Sequence, residues 1–528
     1  MQYNIAQYKG ATFSSVAKGF GAFLAGNFAQ NSSTDILYIL EDGTALADAA
    51  AEAAYLYPDL QILKFPAWDT VPYDRTSPNP AIVAQRIACL AELASNPTPK
   101  KPRLILTSVG AVLQKLPPQK IFLNSMREVS VGNKLNFDDF LHYAAVNGYT
   151  RTAQVFEPGE FAVRGDIIDI FPTGTDEPLR IDLFDDEVER IRTFDVMTQR
   201  TTGELKSYRF EVMSEVVLDA NAIKCFRSKY REAFGADFNG DEIYEAVSSG
   251  RKYIGVENWL PFFYDDPLPT LFDYLPAAAL VVSDKVFEAA VSKADSIADY
   301  YHARLEALKI KSSAETEAYR PVKPELLYLT DKQFEQKTAD KKAVVLTAMN
   351  IPAAETVIDC QLVPGRDFSS AKNIAAGEVY LELKNYLAEN KKLKRVIACS
   401  SEGSRERLFS LMSEYEIPEL TFADTWQEAL QKASSKTVLT LMPLAHGFKG
   451  EGLCLISEQD ILGEKQNRRK QKKFTSKDFI ADVSSLSVGE LVVHIEHGIG
   501  RFMGLETITA GGAPHDCLKI IYAHEDKL

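Results

Sequence analysis

The chain has 528 residues, a formal net charge of −14 and a pI near 5.2, with 46% hydrophobic and 25% charged residues. That balance fits a soluble chain of three or four globular domains and excludes a general polyanion binder, so any nucleic-acid contact must be local. The six cysteines (Cys89, Cys225, Cys360, Cys399, Cys454 and Cys517) stand far apart with no CxxC pair, which argues for reduced structural thiols in a cytoplasmic setting rather than a disulfide frame or zinc site. The first residues, MQYNIAQYKG, lack a basic segment followed by an apolar one, so no signal peptide is expected, and no apolar run approaches the roughly 18 residues of a membrane span.

In chain order, FSSVAKGFGAFLAGNFAQ reads as an amphipathic helix, ILYIL as a short buried strand and ALADAAAEAAYLY as a strong helix. LQILKFP, IVAQRIACLAELAS and RLILTSVGAVLQKL continue the alternation of strand and helix, which argues for a parallel α/β layer. Between 120 and 215 the rhythm changes to short strands separated by turns such as PTGTDEP and RTTGEL, the pattern of an inserted, smaller α+β domain. The α/β character returns at 250–340, and a further strand–helix unit is expected at 341–463, with AVVLTA, RVIACSS, TVLTLMP and GLCLISE as its strands. EKQNRRKQKKFTSKD is polar, basic and without apolar periodicity, as expected of an exposed linker. LSVGELVVHIEHGIGRFMGLETI is β-rich with glycine turns, and the strand-like ending suggests a sequence cut from something longer.

Few of these segments carry recognisable chemistry. A phosphate-binding loop needs GxxxxGK[ST], so that backbone amides cradle the phosphates and the lysine neutralises them. Gly19, Gly21 and Gly26 are followed by no GK[ST], and close helix packing explains them better. In RIDLFDDEVER the apolar residues alternate, unlike the continuous apolar run of a central parallel strand. Asp185, Asp186 and Glu187 therefore read as a solvated turn and not as a magnesium site. His494 and His497 are three apart in a strand-like segment, where they would face opposite sides, so a shared metal ion is not expected. No catalytic residue and no metal site is predicted.

Binding surfaces are better represented. In LRIDLF, period two puts Leu179, Ile181 and Leu183 on one face and Arg180, Asp182 and Phe184 on the other. In EFAVRG, Phe161 and Val163 point inward and Arg164 outward. If the PTGTDEP turn folds these two strands together, Arg164 comes near Arg180 and Phe184. Arginine with an exposed aromatic is the composition of an interface anchor. The alternative is intramolecular, with the arginines paired to local carboxylates and Phe184 beneath a neighbouring element. Arg468, Arg469, Lys470, Lys472 and Lys473 in the basic run could contact a DNA backbone, or could simply solvate a linker.

Long motifs in the chain also resemble a known family. PGEFAVRGDIIDIFP with LRIDLFDDEVERIRTFDVMTQRT resembles the second domain shared by the excision-repair protein UvrB and the bacterial transcription-repair coupling factors. FPAWDTVPYDRTSPNPAIVAQRIACL and GVENWLPFFYDDPLPTLFDYLP are similar to the two halves of the first domain. HGFKGEGLCLISEQDILGEKQNRRK and LVVHIEHGIGRFMGLETI resemble the coupling factors specifically. The resemblance implies an N-terminal part made of a UvrB-like domain 1a (1–120) with a degenerate P-loop-type fold, domain 2 (121–215), domain 1b (216–344), a small α/β domain of open role (345–463), a basic linker (464–484) and the start of a β-rich, Tudor-like or CarD-like domain that meets RNA polymerase (485–528). It implies UvrA binding through Arg164, Arg180 and Phe184, and contact with the polymerase β subunit through the segment 504–509, with Thr507 and Ile508 foremost. ATP and magnesium would belong to motor domains not present in this sequence, so the ATP-driven DNA translocation of the family is not expected of it. A UvrB-type protein that hydrolyses nucleotide and grips damaged DNA is the competing expectation, disfavoured by the missing GxxxxGK[ST].

Overall fold

A computed structural model of the protein describes residues 3–235, 241–309, 319–352, 354–368, 377–463, 491–494, 498–510 and 513–521. Its first layer is a seven-stranded parallel sheet. In spatial order the strands are Val357–Asp359, Thr12–Ser14, Val344–Leu346, Ala279–Ser283, Ile36–Leu40, Leu104–Ser108 and Ile62–Phe65. The two strands Ile36–Leu40 and Leu104–Ser108 are buried at every residue, which is why they read as unbroken apolar runs. Helices start where the chain provides caps. The Asp42 carboxylate accepts from the backbone amides of Thr44 and Ala45, both at 2.8 Å, and Asn79 caps a helix that opens with Pro80.

Two expectations for this layer change. The segment FSSVAKGFGAFLAGNFAQ splits into a strand, Thr12–Ser14, and a helix restricted to Phe20–Gln30. That helix is not amphipathic: Phe20, Ala22, Leu24, Ala25, Asn27, Phe28 and Ala29 are all buried. It is covered on a second side by the unit that follows residue 360, where Phe20 packs edge-on to Phe448 with ring centroids 5.2 Å apart. AVVLTA also does not open a later unit; Val344–Leu346 and Val357–Asp359 are strands of the first sheet, which therefore runs on past residue 344.

Between the halves of this layer lies the inserted α+β domain. Its six-stranded sheet has the order Thr201–Leu205, Glu187–Phe194, Leu179–Phe184, Ile167–Ile170, Glu160–Arg164, Thr150–Arg151, antiparallel except for the last pair. A two-stranded ribbon (Arg127–Ser130 with Ser207–Phe210) and the helix Phe137–Val146 help to close its core. The return to the first layer is pinned by a buried ion pair. Arg86 Nε donates to Glu215 Oε1 at 2.5 Å and its Nη2 to Oε2 at 3.2 Å, while Trp68 Nε1 donates to the same carboxylate at 3.1 Å. The guanidinium lies 4.3 Å from the Phe65 ring centroid, so hydrogen bonds and an aromatic face offset its desolvation.

A second six-stranded sheet follows, in the order Val363–Pro364, Phe448–Gly450, Leu453–Ser457, Lys394–Cys399, Thr437–Leu441, Leu420–Ala423, parallel in its last four strands. One continuous hydrophobic core joins this sheet to the first layer, running from Phe13, Phe20 and Ala53 to Val396, Trp426 and Phe448. Three antiparallel strands, Leu491–His494, Gly498–Ala510 and Ala513–Ile521, form the final sheet.

Candidate functional site

The outer face of the inserted sheet is built by alternation. Along Leu179–Phe184, Leu179, Ile181 and Leu183 are buried in the domain core, Arg180 and Asp182 are half-buried, and Phe184 is exposed. The strand Glu160–Arg164 does not pair with Leu179–Phe184 directly, as the sequence suggested. Ile167–Ile170 lies between them, and the PTGTDEP turn joins that strand to Leu179–Phe184. The pairing nevertheless places all three candidate residues on one face. Arg164 stands opposite Ile167, which stands opposite Asp182; the neighbouring row runs Ala162, Asp169, Arg180, Arg192. Standard strand spacings put Arg164, Arg180 and Phe184 at the corners of a triangle with sides of roughly 12 Å. They share a surface without touching one another.

Each corner has a different chemistry. Phe184 is 76% exposed, so no neighbouring element covers it. It precedes the two-residue turn Asp185–Asp186, where Asp185 adopts φ +59 and Lys134 pairs with Asp186 at 2.7 Å in solvent. The hydrogen bond from Lys134 holds the Asp186 carboxyl below its ordinary pKa, and the turn is the solvated one expected. Arg164 is exposed and donates only a long hydrogen bond, 3.5 Å, to the Ala153 carbonyl.

Arg180 is held. Its Nε donates to Asp169 Oδ1 at 2.6 Å and its Nη2 to Asp169 Oδ2 at 2.8 Å, with a third bond from Nη2 to Gln199 Oε1 at 3.3 Å. The guanidinium carbon lies 4.5 Å from the Phe194 ring centroid. The hydrogen bonds to Asp169 raise the pKa of Arg180 further above its ordinary value. For this residue the intramolecular pairing considered from sequence holds. Pairing does not hide it, because the side chain remains 17% exposed.

Alternation had not singled out Arg190 and Arg192, which the Glu187–Phe194 strand adds to the same face. Arg192 is paired with Asp182, Nε to Oδ2 at 2.9 Å and Nη2 to Oδ1 at 2.8 Å, and Arg190 is exposed opposite Asp182. The run EVERIRTF carried that signal in its arginines, but a bulge between Val188 and Arg190 shifts the period that would have assigned them to a face. Exposed Phe156 and Met197 were also unmarked by period, since both lie in connections.

The other candidates are placed less fully. Thr507 and Ile508 belong to the strand Gly498–Ala510, opposite Asp516 and His515. His494 ends the strand Leu491–His494. His497 and the basic residues Arg468, Arg469, Lys470, Lys472 and Lys473 lie outside the described residues. Among the described residues no group of three or more His, Cys, Asp or Glu side chains is arranged to hold a metal ion, and no helix is long and apolar enough to cross a membrane.

An α/β layer accepts a phosphate at the carboxyl ends of its strands beside a helix N-terminus, and near the start of the Phe20–Gln30 helix this chain places Gly19, Gly21, Tyr38 and Glu52 around one cleft. A Cβ added at Gly21, in the first turn of the Phe20–Gln30 helix, would come within 2.5 Å of the Tyr38 hydroxyl. Glu52 is buried at the same end, and burial, reinforced by Asp48, pushes its carboxyl up to about 8. A phenol and a carboxyl group raised by burial thus line this cleft, together with Lys18 and Lys285.

Comparison with known proteins agrees with this layout. Residues 128–215 match the UvrB interaction domain, residues 387–461 the MFD D3 domain and residues 486–528 the CarD-like/TRCF RID domain. The chain is 30% identical over 517 residues to the transcription-repair-coupling factor of Rickettsia bellii, covering 98% of this chain and 44% of that protein. It is 30% identical over 483 residues to the Escherichia coli factor (89% and 40%) and 25% identical over 503 residues to that of Bacillus subtilis (90% and 40%). The chain spans less than half the length of these curated relatives.

Proposed function

The chain belongs to the transcription-repair-coupling factor family, and from that premise we propose that it is the partner-recruiting part of such a factor, binding UvrA through the inserted sheet and RNA polymerase through the last one. The observation that carries the first half is the coincidence of the UvrB interaction domain match at 128–215 with a sheet whose outer face displays Arg164, Arg180 and Phe184. An exposed phenylalanine flanked by arginines, one fixed and one free, has the composition from which interface anchors are drawn. The second half rests on the CarD-like/TRCF RID match at 486–528, which covers the strand bearing Thr507 and Ile508. Contact with the polymerase β subunit by strand addition fits a β-rich partner domain. Any DNA contact is local and weak, through Arg468, Arg469, Lys470, Lys472 and Lys473.

A UvrB-type nucleotide hydrolase is not favoured, because GxxxxGK[ST] is absent. ATP and magnesium act, in this reading, in motor domains beyond the present sequence. Immobilised UvrA titrated with this chain tests the proposal: saturable binding is expected, with no ATP turnover above background with or without DNA. Ile508→Arg is expected to weaken binding to the isolated polymerase β subunit while UvrA binding is retained. Loss of both would mean misfolding, and loss of neither would remove the polymerase assignment.

A further inference from the structure

The bond pattern around Arg180 points to a residue that motif and alternation both passed over. Asp169 is 98% buried, being 2% exposed, on the Ile167–Ile170 strand, directly opposite Arg180 in the sheet register. It takes the Nε and Nη2 edges of the guanidinium in a two-point grip. Gln199, which itself adopts φ +59 at the end of the Asp195–Gln199 turn, accepts a further bond from Nη2. The Phe194 ring closes one flat side. Among the described residues Nη1 is left with no partner, and it belongs to a side chain that still reaches solvent. A flexible arginine on a surface would have to be ordered when a partner arrives, at a cost of side-chain entropy. This one is ordered already.

We infer that Asp169 is a positioning residue of the docking face: it clamps Arg180 so that the guanidinium presents its Nη1 edge, fixed and outward, to an acceptor oxygen of the protein partner. This rests on the UvrA-docking reading above and adds to it how the surface recognises its partner. Because Asp169 compensates the charge, Arg180 acts as a fixed pair of N–H donors, whereas exposed Arg164 and Arg190 supply net positive charge. A lysine at 180 would keep the charge, but its single ammonium lacks the planar fork that grips both Asp169 oxygens and fixes a separate edge toward a partner.

The test uses the full chain, with UvrA affinity and thermal midpoint measured for Asp169→Asn, Arg180→Ala, Arg180→Lys, Phe184→Ala and the double variant Asp169→Asn/Arg180→Ala. Asp169→Asn keeps the shape of the side chain and is expected to weaken UvrA binding about tenfold, the scale of losing one interface anchor. In the Arg180→Ala background the same change is expected to have no further effect, since Asp169 acts only through Arg180. Arg180→Lys, which retains a cation beside Asp169 and so guards against simple unfolding, is expected to bind as weakly as Arg180→Ala. Unchanged binding by Asp169→Asn or Arg180→Lys, alongside a loss in Phe184→Ala, overturns the positioning role and leaves the docking face standing. An equal loss from Asp169→Asn with and without Arg180 overturns it too, as a general structural effect. If Phe184→Ala also binds like the wild type, the docking reading itself falls.

Discussion

Phe184 and Arg180 sit four residues apart on one strand and differ in what they cost the fold when removed. Phe184 is 76% exposed and packs beneath nothing, so Phe184→Ala should leave the unfolding free energy from urea titration unchanged within ~0.5 kcal/mol. The same variant should lose ~1–3 kcal/mol of UvrA binding by calorimetry. Arg180→Ala strips the partner from a buried carboxylate, and should destabilise the inserted domain by ~1–3 kcal/mol in the same urea titration, besides weakening UvrA. A binding assay alone would therefore mistake a folding defect for a lost contact at Arg180, whereas Phe184 reports on binding cleanly. The outward direction of both residues was legible in LRIDLF, because period two is strong where one face is core. Asp169 was not legible. In GDIIDIF it lies among apolar residues, and only the strand pairing that sets it opposite Arg180 gives it a role.

At the scale of elements, the helix Phe20–Gln30 shows why period can mislead. Its small residues Gly21 and Gly26 pack against Tyr38 and Tyr57 of the first layer, while Phe20 on the other side meets Phe448 of the second sheet, so burial is nearly complete. The hinge of the inserted domain behaves similarly. Arg86 and Glu215 are 129 residues apart in sequence, and neither belongs to a motif that announces a pair. With side chains 0% and 1% exposed, each is the only oppositely charged partner the other has among the described residues, helped by the Trp68 indole on Glu215 and the Pro66 carbonyl on Arg86. Glu215→Ala should cost ~3–5 kcal/mol, read by thermal or urea unfolding, because it leaves a guanidinium buried without its carboxylate. Replacement of both by apolar residues should cost less than either single change, a sign that distinguishes a pin from a simple sum of contacts.

Across the whole molecule, the first layer and the sheet of residues 363–457 share one core, which makes them a single structural body rather than two beads. Glu52 marks their joint: a Cβ placed on Gly19 would sit 3.6 Å from its Oε1 and 2.6 Å from Leu444 Cδ1 of the facing unit. Its carboxyl, raised to about 8 by burial, lies well above the roughly 4.3 of an unfolded glutamate. The folded state therefore holds this proton more tightly, so the stability it contributes is fully present below about pH 4 and is lost progressively as the pH climbs to about 8. Glu52→Gln should flatten the fall of the thermal midpoint between pH 5 and pH 8 and raise the midpoint at the upper end, in a scan across buffers. An unchanged pH profile would mean that Glu52 is already ionised in the fold. The sequence by itself determined the parallel layer, the inserted β-rich domain, the outward set Arg164, Arg180 and Phe184, and the absence of a nucleotide loop, because each of these is written in local periodicity or in a contiguous motif. Only the tertiary structure decided that Ile167–Ile170 stands between the two candidate strands, that Arg180 is clamped by Asp169, and that two sheets share one core. Those depend on which distant segments lie side by side, and pairing between strands and layers is set by packing that no single stretch of chain contains.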